Sequence, residues 1–325
     1  MKTSVYISSS SIKAVVGDVT RDGIDVKAAA TIPLSPEAVI NGVVLDDAAV
    51  RKGLEKLKTK LGGRLNGCRL ILDNSQIMTK RLNVPLLGEQ QMYGLVEGEF
   101  SSNESRESFV YDYMVLKGGS KENGAEILAG AVEKSLIKSY VDLFAGVGIK
   151  VGTIDLAIAS VINITGSIAG FKHSNCIIAV LDGNSMNSFL VLKGVYKMFN
   201  RARLFEERGT SASAAELTKI LSSIIQFNST DRTSEAVSEI FFCNIAKSEL
   251  ILSESSRNDG AIEFGAVGDK AKPQKTAGGS LFGVISSNLN VKVGLLPDFV
   301  KLPSADRVSS TTADYIYNIG SLFGR

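Results

Sequence analysis

Four consecutive serines, Ser8 to Ser11, stand between two apolar runs near the start of the chain. Val5 and Ile7 alternate with other residues before them, and Ile12, Ala14, Val15 and Val16 follow. The pattern reads as strand, tight polar turn, strand. Such a turn gathers backbone N–H groups and hydroxyls in one place without negative charge, so it could cradle a phosphate. Serine is also a common turn residue, and an ordinary hairpin loop would have the same composition. A second stretch repeats the layout: an apolar strand from Cys176 ends at Asp182, a polar turn follows, and another apolar strand leads to Lys193-Gly194. Two hairpins of this kind, each heading one half of the chain, suggest a duplicated architecture. Two unrelated hairpins would read the same way.

Other reactive chemistry has little material. His173 is the one histidine, which leaves nothing for a His-based triad or metal cluster. Cys68, Cys176 and Cys243 are far apart, in apolar contexts and without CxxC spacing. They read as buried, reduced thiols rather than a disulfide framework. Asp112 and Asp155 could be imagined as paired carboxylates, but each falls at a structural junction. Gly118-Gly119 reads as a turn without a nucleotide fingerprint around it.

The elements that must position the two turns follow from periodicity. Gly23 to Pro33 completes a meander with the first hairpin. Asp46 to Leu61 has apolar residues at Val50, Leu54, Leu57 and Leu61, which predicts a helix opened by acids and stopped by Gly62-Gly63. Cys68 to Asp73 is a short buried strand. Thr79 to Pro85 reads as an edge strand, Glu89 to Phe100 as a helix, Phe109 to Leu116 and Ala125 to Val132 as strands, and Lys134 to Gly146 as a helix. Ile149 to Ile154 is a strand before a helix. Ser213 to Phe227 is predicted as an amphipathic helix, Glu239 to Ala246 and Val291 to Leu296 as strands, 252 to 280 as mostly exposed loop, and Tyr315 to Phe323 as a closing helix.

Composition narrows the class. The 325 residues allow two or more compact domains, and a hydrophobic share of 44% indicates a globular chain. A formal net charge of +2 argues for neither nucleic acid nor an anionic membrane surface as a partner. Residues 1–20 lack the continuous apolar core of a secretory signal. No segment approaches the ~20 apolar residues of a transmembrane helix. The longest candidate, Ile154 to Phe171, is broken by Asp155 and Asn163 and reads as a buried helix.

In this order the features resemble the PilM family of type IV pilus assembly proteins, relatives of the cell-division protein FtsA. The similarity is carried by Lys80-Arg-Leu-Asn-Val-Pro85, the acidic end of the following helix at Glu97 to Phe100, Asp112-Tyr113, the Gly146-to-Asp155 turn and strand, the opening Ser8-to-Val15 stretch and the closing Ala313-to-Gly320 segment. The resemblance implies an actin-like ATPase fold, a duplicated ribonuclease H-like α/β architecture whose halves face across a cleft, with a small inserted α+β subdomain. Residues 1–78 and 150–172 would form the first half, 79–149 the insertion and 173–325 the second half. It further implies that Ser9, Ser10, Ser11, Lys13, Asp182, Asn184 and Ser188 would contact a nucleotide.

The departures from the family matter. Tyr6 and Ser8 stand where an Asp and a Gly are usual, and a tyrosine cannot help order Mg²⁺. Asn184 replaces a further Gly, Ser188 a Thr, and Asn244 has no Gly neighbour where the family places a glycine-rich turn. The expectation is therefore no cofactor or weakly bound Mg-ATP, no hydrolysis and no metal site.

Functionally, the resemblance implies a cytoplasmic scaffold of type IV pilus or type II secretion-like assembly. It would sit at the inner face of the membrane through the tail of a bitopic, PilN-like partner, without nucleic acid and without direct membrane insertion; a homo-oligomer stays open. The tail would lie between the insertion and the main body, with Leu82, Val84, Tyr93 and Phe100 as wall residues. Those four would equally suit the subdomain's own core. Two other classes are weighed: an FtsA-like membrane tether, which needs a longer and more basic C-terminal helix, and a sugar-kinase relative, which needs an intact phosphate cradle.

Overall fold

A computed structural model describes residues 1–20, 23–100, 106–120, 123–230, 235–253, 279–302 and 311–324. The chain divides into two compact units: Met1–Lys172, Gly194–Tyr196 and Pro297–Arg325 form unit one, and His173–Lys193 with Lys197–Leu296 form unit two.

In unit one, β1 (Lys2–Ile7), β2 (Ser11–Thr20) and β3 (Gly23–Pro33) form an antiparallel meander. A small hairpin, β4 (Val39–Ile40) and β5 (Val43–Val44), leads to α1 (Asp47–Leu61). The helix ends where the residues dictate. The Asp46 side chain accepts the Ala49 N–H, and Gly62 follows the last turn with φ +62°. Strand β6 (Cys68–Leu72) lies parallel to β1.

Next come β7 (Met78–Val84), α2 (Glu89–Phe100), β8 (Phe109–Ser120), β9 (Gly124–Glu133), α3 (Lys134–Ala145), β10 (Val151–Leu156) and α4 (Ala157–Ser167). Strand β10 lies parallel to β6, which gives the five-stranded order β10-β6-β1-β2-β3. Strands β7, β9 and β8 make a separate antiparallel sheet with α2 on one face, held by Val84, Met92, Val96, Ile127 and Ala129.

Unit two repeats the plan. Strands β11 (Cys176–Asp182), β12 (Ser185–Leu192) and β13 (Val195–Arg203, whose first two residues belong to unit one) are followed by α5 (Ser211–Ser229), β14 (Glu239–Cys243), α6 (Leu281–Leu289) and β15 (Lys292–Leu295). The order is β13-β12-β11-β14-β15, with β11 antiparallel to β12 and parallel to β14. In both sheets the first strand of the hairpin is central. Its hairpin partner flanks one side and a parallel strand the other, so the duplication suggested by the two polar turns is present in the topology.

Several expectations change. The stretch 297–325, expected in the second half, belongs to unit one. Helix α7 (Ile316–Phe323) covers the face of β1 and β2 opposite α1, where Ile319 and Leu322 pack with Val15 and Val26. Gly320 lets α7 also pack closely on α4, since a Cβ there would lie 2.0 Å from Ser160 O. Helix α3, expected within the insertion, gives Tyr140, Leu143 and Phe144 to the main core instead. The predicted helix from Ile154 begins only at Ala157, because Ile154 and Asp155 pair with β6. The turn expected at Gly118 is shorter, since β8 runs to Ser120. Of the loop expected at 252–280, residues 254–278 lie outside the described residues.

Candidate functional site

The serine turn is closed on itself. Ile7 and Ile12 are the last pair of the hairpin, and the Ser8 N–H donates to Ser11 O at 2.8 Å. Ser8 Oγ is buried and accepts the N–H groups of Ser10 at 3.3 Å and Ser11 at 3.0 Å. It also lies 2.9 Å from Ser11 O and 3.0 Å from Ser11 Oγ. Two backbone donors that a phosphate would use are thus directed at a hydroxyl inside the turn. Ser9 is half-buried and Ser10 exposed.

Lys13 serves another partner. Its Nζ donates to Asp314 O at 2.8 Å and lies 5.9 Å from the centre of the Tyr315 ring. Tyr6, where an acid is usual, is buried edge-on against Tyr317 at 5.1 Å, with its hydroxyl 3.5 Å from the Asp73 carboxylate. A Mg-nucleotide needs free donors and an acid here. Ser8 Oγ, Lys13 Nζ and the Tyr6 hydroxyl each have a partner within the protein.

In unit two Asp182 faces Ser185 across a two-residue turn, Gly183-Asn184, with Gly183 at φ +52°. Asp182 is half-buried and Asn184 exposed at this turn. Ser188 is not there. It pairs with Ala179 well inside the hairpin, is 1% exposed, and its Oγ has no hydrogen-bond partner among the described residues. Strand β14 ends at Cys243, and Asn244 takes φ +58°, the left-handed conformation that glycine usually supplies. Arg208 and Glu249 meet beside these turns. Neither stands out in the sequence, because no motif surrounds them and their spacing of 41 residues has no period.

The four expected wall residues separate in the subdomain. Val84 is a core residue, with Leu82 and Phe100 packed against it. Phe100 also stacks on Tyr111 at 6.3 Å, with Lys80 Nζ 5.2 Å above its ring. Tyr93 alone is exposed at 41%. Its ring meets Tyr113 edge-on at 5.4 Å, and the Asp112 carboxylate, 3.4 Å from its hydroxyl, pushes the phenol pKa up.

Register explains the split. Lys80, Leu82 and Val84 share the α2-covered face with Ile127, Ala129 and Tyr113, whereas Arg81, Leu128, Gly130 and Met114 lie on the other. That second face is turned toward β10, since a Cβ on Gly130 would come within 3.4 Å of Leu156. Arg81 is ion-paired with Glu126 there. Burial lowers the Arg81 pKa and pushes Tyr196 up to about 12, with each charge tempering the other.

Residues 4–217 match the family described as type IV pilus assembly protein PilM. The chain belongs to this family. A chain of a PilM-PilN type IV pilus biogenesis complex superposes with a TM-score of 0.72 at 15% identity, over 99% of this chain and 97% of that one. A Bacteroides thetaiotaomicron protein with actin-like ATPase fold and unknown function gives 0.50 at 9% identity, over 100% and 96%. These likenesses establish the actin-like fold. No curated protein matches the chain.

The closing helix of this PilM family member is locked in place. Arg69 donates from Nε and Nη2 to the Asp155 carboxylate at 2.9 and 3.0 Å, and Ser321 Oγ donates to the same carboxylate. The Lys2 ammonium caps the helix at Leu322 O, 3.1 Å, and Gly324 O, 2.6 Å, and burial lowers its pKa. Asp155 therefore serves structure, and Asp112 has different partners, Tyr93 and the Tyr113 N–H. Among the described residues no helix is long and apolar enough to cross a membrane, and no cluster of three or more His, Cys, Asp or Glu could hold a metal.

Proposed function

We propose that this PilM-family protein is a binding scaffold of the type IV pilus or a related secretion platform. It holds the cytoplasmic tail of a bitopic, PilN-like inner-membrane partner and hydrolyses no nucleotide. The observation that carries the reading is the self-closed serine turn within a PilM-family fold. A phosphoryl-transfer site needs its cradle donors aimed at the phosphates, and here Ser8 Oγ takes those of Ser10 and Ser11. The likeness to a chain of a PilM-PilN complex supports the choice of partner.

The tail lies on the β10-facing side of the β7-β9-β8 sheet, where the Arg81–Glu126 ion pair and the apolar Met114 side chain lie. An extended peptide there gains main-chain hydrogen bonds from an edge strand and seats alternate side chains. Tyr93 is exposed on α2, which covers the opposite face of the sheet, and so does not line this site. Leu82, Val84 and Phe100 hold the subdomain together.

Affinity capture from gently solubilised membranes, with mass spectrometry of the retained proteins, tests the reading. Retention of a small bitopic pilus protein, lost with Arg81→Glu and Met114→Glu, is the expected result. Retention of division proteins, or micromolar Mg-ATP affinity in an equilibrium titration, would overturn it.

A further inference from the structure

Unit two holds a cation at the end of its sheet where α/β proteins usually bind ligands. Strands β11 and β14 are parallel neighbours, with Val180 opposite Cys243, so their carboxyl ends open on the same side. The turns at those ends are Gly183-Asn184 and the segment from Asn244, which the family resemblance assigns to the phosphate and the adenosine.

Arg208 reaches both. Its guanidinium donates to Asn244 O at 3.0 Å and to Gly183 O at 3.5 Å. Glu249 accepts from the same guanidinium at 2.7 Å and from the Ala246 N–H at 2.8 Å. The two side chains are only 23% and 18% exposed, so the pair is not a freely solvated one.

The loop that carries Arg208 is itself anchored. The Glu216 carboxylate accepts the N–H groups of Phe205 at 3.0 Å and Glu206 at 3.1 Å. Thr210 caps α5 in a reciprocal pair with Ser213. Phosphates bring acceptors, and this corner presents two carbonyls and a carboxylate that take three of the five N–H donors of one guanidinium, while its Nε is buried without a partner among the described residues.

We infer that the Arg208–Glu249 pair is a built-in replacement for nucleotide in unit two. It ties the β11–β12 turn to the loop after β14, so these turns stay joined with no ligand present. The inference rests on the reading above that the scaffold works without nucleotide, and it names the group that makes this possible.

Hydrogen-exchange mass spectrometry on the full chain tests it, with wild type, Arg208→Ala and the milder Glu249→Gln, each with and without millimolar Mg-ATP. In Arg208→Ala, exchange at 182–185 and 243–250 should rise about tenfold or more, the scale of a lost charge-assisted hydrogen bond, while β1, β2 and α7 stay protected. Glu249→Gln should give a smaller rise confined to 243–250. Mg-ATP should change neither turn in wild type. If both variants exchange like wild type at these turns, the inference fails while the nucleotide-free reading stands. If Mg-ATP adds protection at both turns of the wild type, the nucleotide-free reading fails and the inference with it. If Arg208→Ala unfolds unit two outright, Glu249→Gln decides: protection equal to wild type at 243–250 overturns the inference.

Discussion

At the scale of single residues, Ser8 has more consequence than its type suggests. It stands where a glycine is usual, and its hydroxyl satisfies two backbone N–H groups, one of them on the buried Ser11. Removing it leaves those donors without an acceptor. Ser8→Ala should therefore lower stability by about 1–3 kcal/mol, read as a shift of the urea midpoint. An unchanged midpoint would mean that the turn does not depend on this hydroxyl.

Sequence could place four serines in a turn. It could not say whether the hydroxyls face outward or fold back, because either orientation suits the same residues and only the hairpin register decides. Lys13 shows the same limit: two residues past the turn it looks poised for an anion, and it bonds Asp314 O instead.

The buried thiols give a second residue-scale prediction. Burial pushes Cys68 and Cys176 from 9.0 up to about 11. Below pH 9 both thiols keep their protons in the folded and unfolded chain alike. Above it the unfolded chain releases protons that the folded chain retains, so stability is lost as pH rises from 9 through about 11. The Tm of wild type should fall more steeply over this range than that of the Cys68→Ala/Cys176→Ala double variant. Parallel slopes would contradict the assignment.

Among elements, α7 is a packed helix and not an interfacial one. An interfacial helix must expose its apolar face. Here Ile319 and Leu322 are fully buried, and Arg69, Asp155 and Lys2 fasten the helix to unit one. Asp155→Ala would remove the carboxylate that faces the buried Arg69 guanidinium, and should cost about 3–5 kcal/mol in a denaturant titration. A cost below about 1 kcal/mol, the surface-pair range, would show that the pair is effectively solvated.

Helix α1 was legible from its ends, because Asp46 and Gly62 act through local geometry. Strand β13 and helix α6 were not. The first alternates Lys197, Phe199 and Arg201 with Tyr196 and Met198, and half-buried long side chains blur the period-2 contrast. The second has nine residues with glycine and serine inside it, too short and mixed for a clear 3.6-residue stripe. The subdomain wall set divides between core and surface for a related reason. Spacing tells which residues share a strand face, and the partner element decides whether that face meets a groove or α2.

For the whole molecule, the two polar turns revealed the duplication, since each heads a sheet of the same order. Chain order did not reveal that 297–325 returns to unit one, because a helix with an apolar stripe can cover any open sheet face. Function rests on the same scale. A PilM-family fold whose first turn is closed by Ser8 and whose second is tied by Arg208 should bind its partner without help from nucleotide. The direct measurement is an equilibrium titration of the partner's cytoplasmic tail, identified by membrane capture, against the full chain with and without Mg-ATP. The account predicts Kd values equal within about twofold, no meaningful coupling free energy. Binding that tightens about tenfold or more with Mg-ATP would contradict it.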